Sequence, residues 1–195
     1  MPHLFLGSAE LAALPTWLQA LPFPVRNAVL IPTAARPMPS APFVPATERL
    51  LRSLNLTVTT LDLADATPTA ARRTLDTADL VYFTGGYAFY LLQHVHRTGI
   101  TAPLTEAVTA ARTAYAGISA GATLAGPDIT PLSDPSDPGS PATASALNLV
   151  PFVVLPHRDR PRPAPRPLTP HPVLAISDAE AVVVAPCGHR VVASV

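Results

Sequence analysis

Residues 115–122 read Tyr-Ala-Gly-Ile-Ser-Ala-Gly-Ala, so a serine stands between two glycines at the end of an apolar run. Gly117-Ile118-Ser119-Ala120-Gly121 fits the Gly-x-Ser-x-Gly pattern of a nucleophile elbow, a strained turn between strand and helix that projects a hydroxyl. Such a turn brings backbone segments close together and leaves no room for a Cβ, which accounts for glycine at 117 and 121. The chemistry would be covalent, with Ser119 attacking a carbonyl. The pentapeptide alone is a common string, and its setting carries the reading. Residues 114–118 read as a buried strand and 120–125 as the opening of a tightly packed helix.

A serine hydroxyl is a poor nucleophile at neutral pH and needs a base, usually a histidine oriented by a carboxylate. Of the six histidines, His3, His94, His96, His171 and His189 fall within or beside helices, proline loops or surface turns. His157 directly follows an apolar run and therefore sits at a strand end, which makes it the best-placed base. The orienting acid stays open at this stage. Asp134, in a proline-rich loop, is favoured. Asp178, just after another apolar segment, and then Glu180 stand in reserve. The N–H of Ala120, the residue after the nucleophile, and that of Gly86, in the Gly85-Gly86 turn, are the expected donors to a developing oxyanion. The chain carries no Gly-x-Gly-x-x-Gly, and without lysine it has no Gly-Lys-Ser/Thr loop, so nucleotide binding is disfavoured.

The elements that must position these groups alternate along the chain. Strands are expected at 4–6, 27–31, 57–63, 79–83 and 114–118. Helical patterns fall at 9–21 (interrupted by Pro15), 45–55, 87–97 (ending near Gly99) and 102–112. A further helix starts at Thr67-Pro68, with threonine as N-cap and proline at the first helical position. Strands separated by helices of about ten residues argue for right-handed βαβ units and a mostly parallel sheet. Active sites of such sheets lie beyond the carboxyl ends of the strands, where Gly85-Gly86 and Ser119 both fall. Residues 127–146 then read as a proline-rich loop and 147–155 as a strand ending at His157. A second proline-rich loop covers 160–172. Three closing strands are expected at 173–176, 181–185 and 190–193, the last two joined by a turn at Pro186-Cys187-Gly188. The whole of 1–195 reads as one domain.

Composition narrows the function. The 195 residues are 48% hydrophobic with a formal net charge of zero and a pI near 7.0. That balance gives no electrostatic case for nucleic acid or an anionic membrane. A single cysteine, Cys187, rules out an intrachain disulfide. The N-terminus lacks the basic and apolar regions of a signal peptide, and no run approaches the ~20 apolar residues of a membrane span. A cytoplasmic protein without metal or cofactor is the expectation.

Taken together, these residues resemble the peptidase E (aspartyl dipeptidase) family of serine peptidases. The resemblance rests on Phe83-Thr84-Gly85-Gly86 running into Phe89-Tyr90-Leu91-Leu92, then on Tyr115 to Ala122, Asp134, Ala146-Leu147-Asn148-Leu149 and Pro156-His157. It implies a class I glutamine-amidotransferase-like α/β sandwich, flavodoxin-like in its layers, and hydrolysis of dipeptides with N-terminal aspartate, without metal. By position it implies Ser119 as nucleophile, His157 as general base, Asp134 as orienting acid, and Gly86 with Ala120 as the oxyanion hole. Gly85, Tyr87 and Arg158 are the candidate substrate-binding residues, Tyr87 and Arg158 standing outside the family's pattern. It also suggests a homodimer. The related cyanophycinases, which cleave β-aspartyl-arginine units, take their acid from a later loop, and Asp178 matches that position.

Three departures bear on specificity. Tyr87 stands where the family usually has asparagine after its glycines. The arginine-bearing helical segment after the family's histidine is shortened here to the proline-rich run, whose Arg158, Arg160, Arg162 or Arg166 would have to grip a substrate carboxylate. Asp137 competes with Asp134 within Ser-Asp-Pro-Ser-Asp-Pro. The alternatives are an isoaspartyl peptidase or amidase and a non-catalytic binding protein. The Pro-Arg run at 160–167 also has the composition of a polyproline II ligand.

Overall fold

The computed structural model describes residues 2–161 and 168–194. Arg162, Arg166 and most of the polyproline run therefore lie outside the described residues. The elements follow the order β1 (Leu4–Gly7), α1 (Leu14–Gln19), β2 (Asn27–Ile31), α2 (Phe43–Ser53), β3 (Thr57–Thr60), α3 (Pro68–Leu75), β4 (Leu80–Phe83), α4 (Ala88–Thr98), α5 (Thr101–Thr109), β5 (Ala114–Ile118), α6 (Ala120–Leu124), β6 (Val153–Leu155), β7 (Val173–Ala175), β8 (Glu180–Ala185) and β9 (Gly188–Ala193). Seven strands form one sheet in the order β3-β2-β4-β5-β1-β8-β9, and β6 and β7 form a second, two-stranded sheet. β1 to β5 run parallel. The closing hairpin β8-β9 joins antiparallel to β1.

The inner strands β1, β4 and β5 are buried on both faces, as a sheet covered on both sides requires. Alternate residues divide between two cores. Phe5, Leu30, Tyr82 and Ala116 pack with Leu14 and Trp17 of α1 and Leu51 of α2. Leu4, Leu6, Ile31, Phe83 and Tyr115 pack on the other side with Leu75, Leu92, Leu104 and Leu124 of α3 to α6. The result is a three-layer α/β sandwich with a mostly parallel central sheet.

Local chemistry explains several element ends. Thr67 caps α3, its hydroxyl accepting from the Ala70 N–H at 3.2 Å. Gly99 ends α4 in the left-handed region at φ 65°. Pro15 does not interrupt a helix; it lies in the first turn of α1, where its missing N–H has no intrahelical partner to lose. β3 stops at Thr60 rather than continuing to Leu63. Asp62 there accepts from the Ala64 N–H at 2.9 Å and from the Thr33 hydroxyl at 2.9 Å, turning the chain.

The expected strand over 147–155 is confined to β6. Its first part closes α6 instead. The N–H groups of Leu147, Leu149 and Val150 bond the carbonyls of Leu124 and Ala125, and Asn148 turns at φ 50°. Helix ends leave carbonyls without intrahelical partners, and a backbone capping them is unavailable to a sheet.

Candidate active site

Four strand ends converge at the carboxyl edge of the main sheet: β1 at Gly7-Ser8, β2 at Pro32 to Ala35, β4 at Thr84 to Gly86 and β5 at Ser119. Ser119 occupies the single position between β5 and α6 with φ 52° and ψ −110°. A non-glycine residue reaches that region only where its surroundings impose it. The surroundings are evident. A Cβ on Gly117 would lie 2.2 Å from the Gly121 carbonyl oxygen, and one on Gly121 would lie 2.5 Å from that of Phe83. Tyr115, wholly buried, donates its hydroxyl to the Gly121 carbonyl at 2.6 Å. Burial pushes its phenol well above the ordinary value, so it stays a donor. The Thr123 hydroxyl ties α6 to the Val154 carbonyl at 2.7 Å.

His157 lies two residues beyond β6 and Asp178 three beyond β7. The parallel register pairs Leu155 with Ala175, and the Arg158 N–H extends it by bonding the Ile176 carbonyl at 2.9 Å. Two loops far apart in sequence therefore leave the small sheet side by side. Ser119 Oγ lies 2.9 Å from His157 Nε2, and His157 Nδ1 lies 2.5 Å from Asp178 Oδ1. The three side chains form one hydrogen-bonded chain.

The carboxylate is the point at which sequence and structure differ. Asp134, favoured from the sequence, is exposed, and its Oδ1 accepts from the Ser136 N–H and hydroxyl at 2.8 Å each. These bonds lower its pKa and close a self-contained turn. Asp137 is no substitute: its oxygens accept from the Phe89 and Tyr90 N–H groups at 2.8 and 3.0 Å, binding the loop to the start of α4. Glu180 accepts from the Ser177 N–H at 2.8 Å. Asp178 is the acid that meets the imidazole. Burial works against its ionisation, but hydrogen bonds from His157 and Arg160 and their charges outweigh that and hold its carboxyl below the ordinary value.

Gly85 packs on Ser119, since a Cβ there would sit 3.1 Å from Ser119 Cβ. Gly86 has φ 132°, and a Cβ would lie 2.2 Å from the Ala34 carbonyl oxygen. The Tyr87 N–H bonds that same carbonyl at 2.8 Å, and Tyr87 takes the N-cap position of α4. Ala120 opens α6, where backbone N–H groups lack intrahelical partners.

Of the arginines expected to hold substrate, the two among the described residues, Arg158 and Arg160, are engaged within the protein. Arg158 reaches Glu180 at 3.2 Å, Asp159 at 3.3 Å and the Ala175 carbonyl at 3.2 Å, and Arg160 Nε donates to Asp178 Oδ2 at 2.6 Å. Sequence reasoning missed Ser8. Its hydroxyl touches both His157 and Asp178, and no motif marks it. A cleft of about 640 Å³ lined by His3, Trp17, Cys187 and His189 lies at the opposite, amino edge of β1 and includes none of these groups. Among the described residues no cluster of histidine, cysteine and acidic side chains could hold a metal, and no helix is long and apolar enough to cross a membrane.

A serine elbow on a parallel sheet, facing an imidazole and a carboxylate, is the arrangement of a serine hydrolase. Residues 5–190 match the model of peptidase family S51, and the chain belongs to that family. It is 33% identical over 161 residues to an uncharacterised peptidase of Listeria innocua, covering 80% of this chain and 77% of the relative. It is 35% identical over 132 residues to peptidase E of Escherichia coli O6:K15:H31, covering 68% of this chain but only 55% of that protein. A crystal structure described as a candidate peptidase E protein, from Listeria monocytogenes EGD-e, superposes with a TM-score of 0.84 at 28% identity, over 99% of this chain and 98% of the other. A peptidase from an acI-B1 actinobacterium shares the fold, with a TM-score of 0.69 at 20% identity.

Proposed function

We propose that this protein hydrolyses the amide bond of small peptides through an acyl-enzyme on Ser119. The observation that carries the reading is the chain from Ser119 Oγ through His157 to Asp178. His157 Nε2 takes the serine proton as Oγ attacks the carbonyl carbon, and Asp178 keeps the other ring nitrogen protonated and the ring in place. The N–H groups of Gly86 and Ala120 donate to the oxyanion. His157 then returns the proton to the leaving amine. Water enters, gives a proton to His157 and attacks the acyl carbon; as the acyl C–O bond breaks, His157 returns that proton to Ser119 Oγ, releasing the acid and restoring the free serine.

The preferred substrate is a dipeptide with N-terminal aspartate, as the resemblance to peptidase E suggests. A second reading, cleavage of isoaspartyl linkages, is favoured by one observation: the acid comes from the later loop, the position that resembles the cyanophycinases. Amino-acid release from a panel of Asp-Xaa, β-Asp-Xaa and neutral dipeptides separates the two. Turnover of Asp-Xaa by wild type and none by Ser119→Ala is expected. Turnover confined to β-Asp-Xaa selects the second reading, and equal turnover by the variant overturns both.

A further inference from the structure

Ser8 stands at the carboxyl end of β1 and is wholly buried. The segment it belongs to holds all three members of the hydrogen-bonded chain. The Gly7 carbonyl accepts from the Ser119 N–H at 2.9 Å, and the Ala9 and Glu10 N–H groups donate to the Asp178 carbonyl at 3.3 and 3.1 Å. Ser8 supplies the third hold: its Oγ accepts the His157 backbone N–H at 2.9 Å. The same oxygen lies 3.2 Å from Asp178 Oδ1 and 3.3 Å from His157 Nδ1.

These contacts fix the protons. A hydroxyl has one hydrogen to give. With its oxygen accepting from the backbone of His157, Ser8 points that hydrogen at Asp178 Oδ1. Oδ1 also receives the hydrogen on Nδ1, so Nε2 is the ring's acceptor and faces Ser119. His157 holds φ 60°, a conformation that persists only when its neighbours impose it, and the Ser8 bond is made to that residue's own N–H. We propose that Ser8 is a positioning residue for hydrolysis, its hydroxyl locking the tautomer and the seat of the His157–Asp178 pair. The proposal rests on the serine-hydrolase reading above.

Among the described residues, the charged groups around the pair include Arg160 on Asp178 Oδ2 and, across Ser177, Glu180 with its partner Arg158. Ser8→Ala leaves all of them in place and removes one donor to Asp178 and one acceptor from His157. The carboxylate then carries more unshared charge and stabilises the imidazolium more strongly.

The test is the rate of labelling by a fluorophosphonate across pH, on wild type, Ser8→Ala and Ser8→Thr, with circular dichroism to report folded protein. Ser8→Ala should label about 10- to 100-fold more slowly, with the acid limb of its pH profile moved up by about half a unit. Ser8→Thr, which keeps the hydroxyl, should recover most of the rate. The low-field proton resonance of His157 Nδ1–H, readable without any turnover, should be sharp in wild type and lost or broadened in Ser8→Ala. An unchanged resonance overturns the proposal. So does a rate loss that only tracks folded protein with the acid limb unmoved. Wild type that resists labelling while the resonance responds overturns the hydrolase reading instead.

Discussion

Ser119 and His157 face each other at 2.9 Å through Oγ and Nε2, and both hold positive φ, 52° and 60°. The site thus concentrates backbone strain in the two residues whose contact matters most. Strain of this kind typically amounts to about 1–3 kcal/mol per residue. Ser119→Gly relieves it, whereas Ser119→Ala retains the Cβ. The glycine variant should be the more stable of the two by about 1 kcal/mol, a Tm difference of roughly 2–4 °C. Calorimetry of the pair checks this. An alanine variant more stable than the glycine variant would mean that the elbow is unstrained.

The glycines around the elbow are not equivalent to other glycines. Gly117→Ala places a methyl 2.2 Å from a backbone carbonyl oxygen that cannot swing away. It should cost about 2–4 kcal/mol and abolish labelling of Ser119. Gly99→Ala meets open space and only the penalty of φ 65°, so about 1 kcal/mol is expected with labelling intact. Denaturant melts of both variants provide the comparison.

The carboxylates make a direct contrast. Asp178→Asn should lower the rate of Ser119 labelling by about 10³- to 10⁴-fold, because the ring loses the partner that sets its tautomer. Asp134→Asn, on an exposed turn, should change it by less than about twofold. The opposite ranking would return the role to Asp134.

That contrast shows where the sequence was legible. β2 at Asn27–Ile31 and β5 at Ala114–Ile118 coincide with their apolar runs, because a strand buried on both faces is written continuously in the chain. The Thr67 cap and the Gly99 terminus are equally local. Asp178 has no local signal in the sequence because its meeting with His157 depends on the β6–β7 register, a pairing between short strands separated by a proline-rich loop. Ser8 was invisible for the same reason: its partners lie 149 and 170 residues away. The capping of α6 by residues 147–150 likewise uses apolar residues whose pattern alone reads as strand.

His94 gives a stability prediction with a defined sign. It is buried in α4, its ring stacks edge-on with Tyr90 at 4.5 Å, and Arg97 Nε donates to its Nδ1 at 3.2 Å. Burial, then the Arg97 charge, lowers its pKa below the ordinary 6.5. A lowered folded-state value means that the unfolded chain takes the proton first. His94 therefore contributes stability that is fully present above about pH 6.5 and is lost as pH falls through the folded-state value. The Tm advantage of wild type over His94→Gln should shrink between about pH 7.5 and 5. An advantage that grows on acidification would contradict the assignment.

The proposed hydrolysis requires Ser119 to be an armed nucleophile. Intact-mass measurement after exposure to a fluorophosphonate, followed by peptide mapping, tests it without knowledge of the substrate. A single adduct on Ser119 in wild type, and none in Ser119→Ala, is the predicted result. No adduct on wild type, or an adduct that survives the Ser119→Ala substitution, would contradict it.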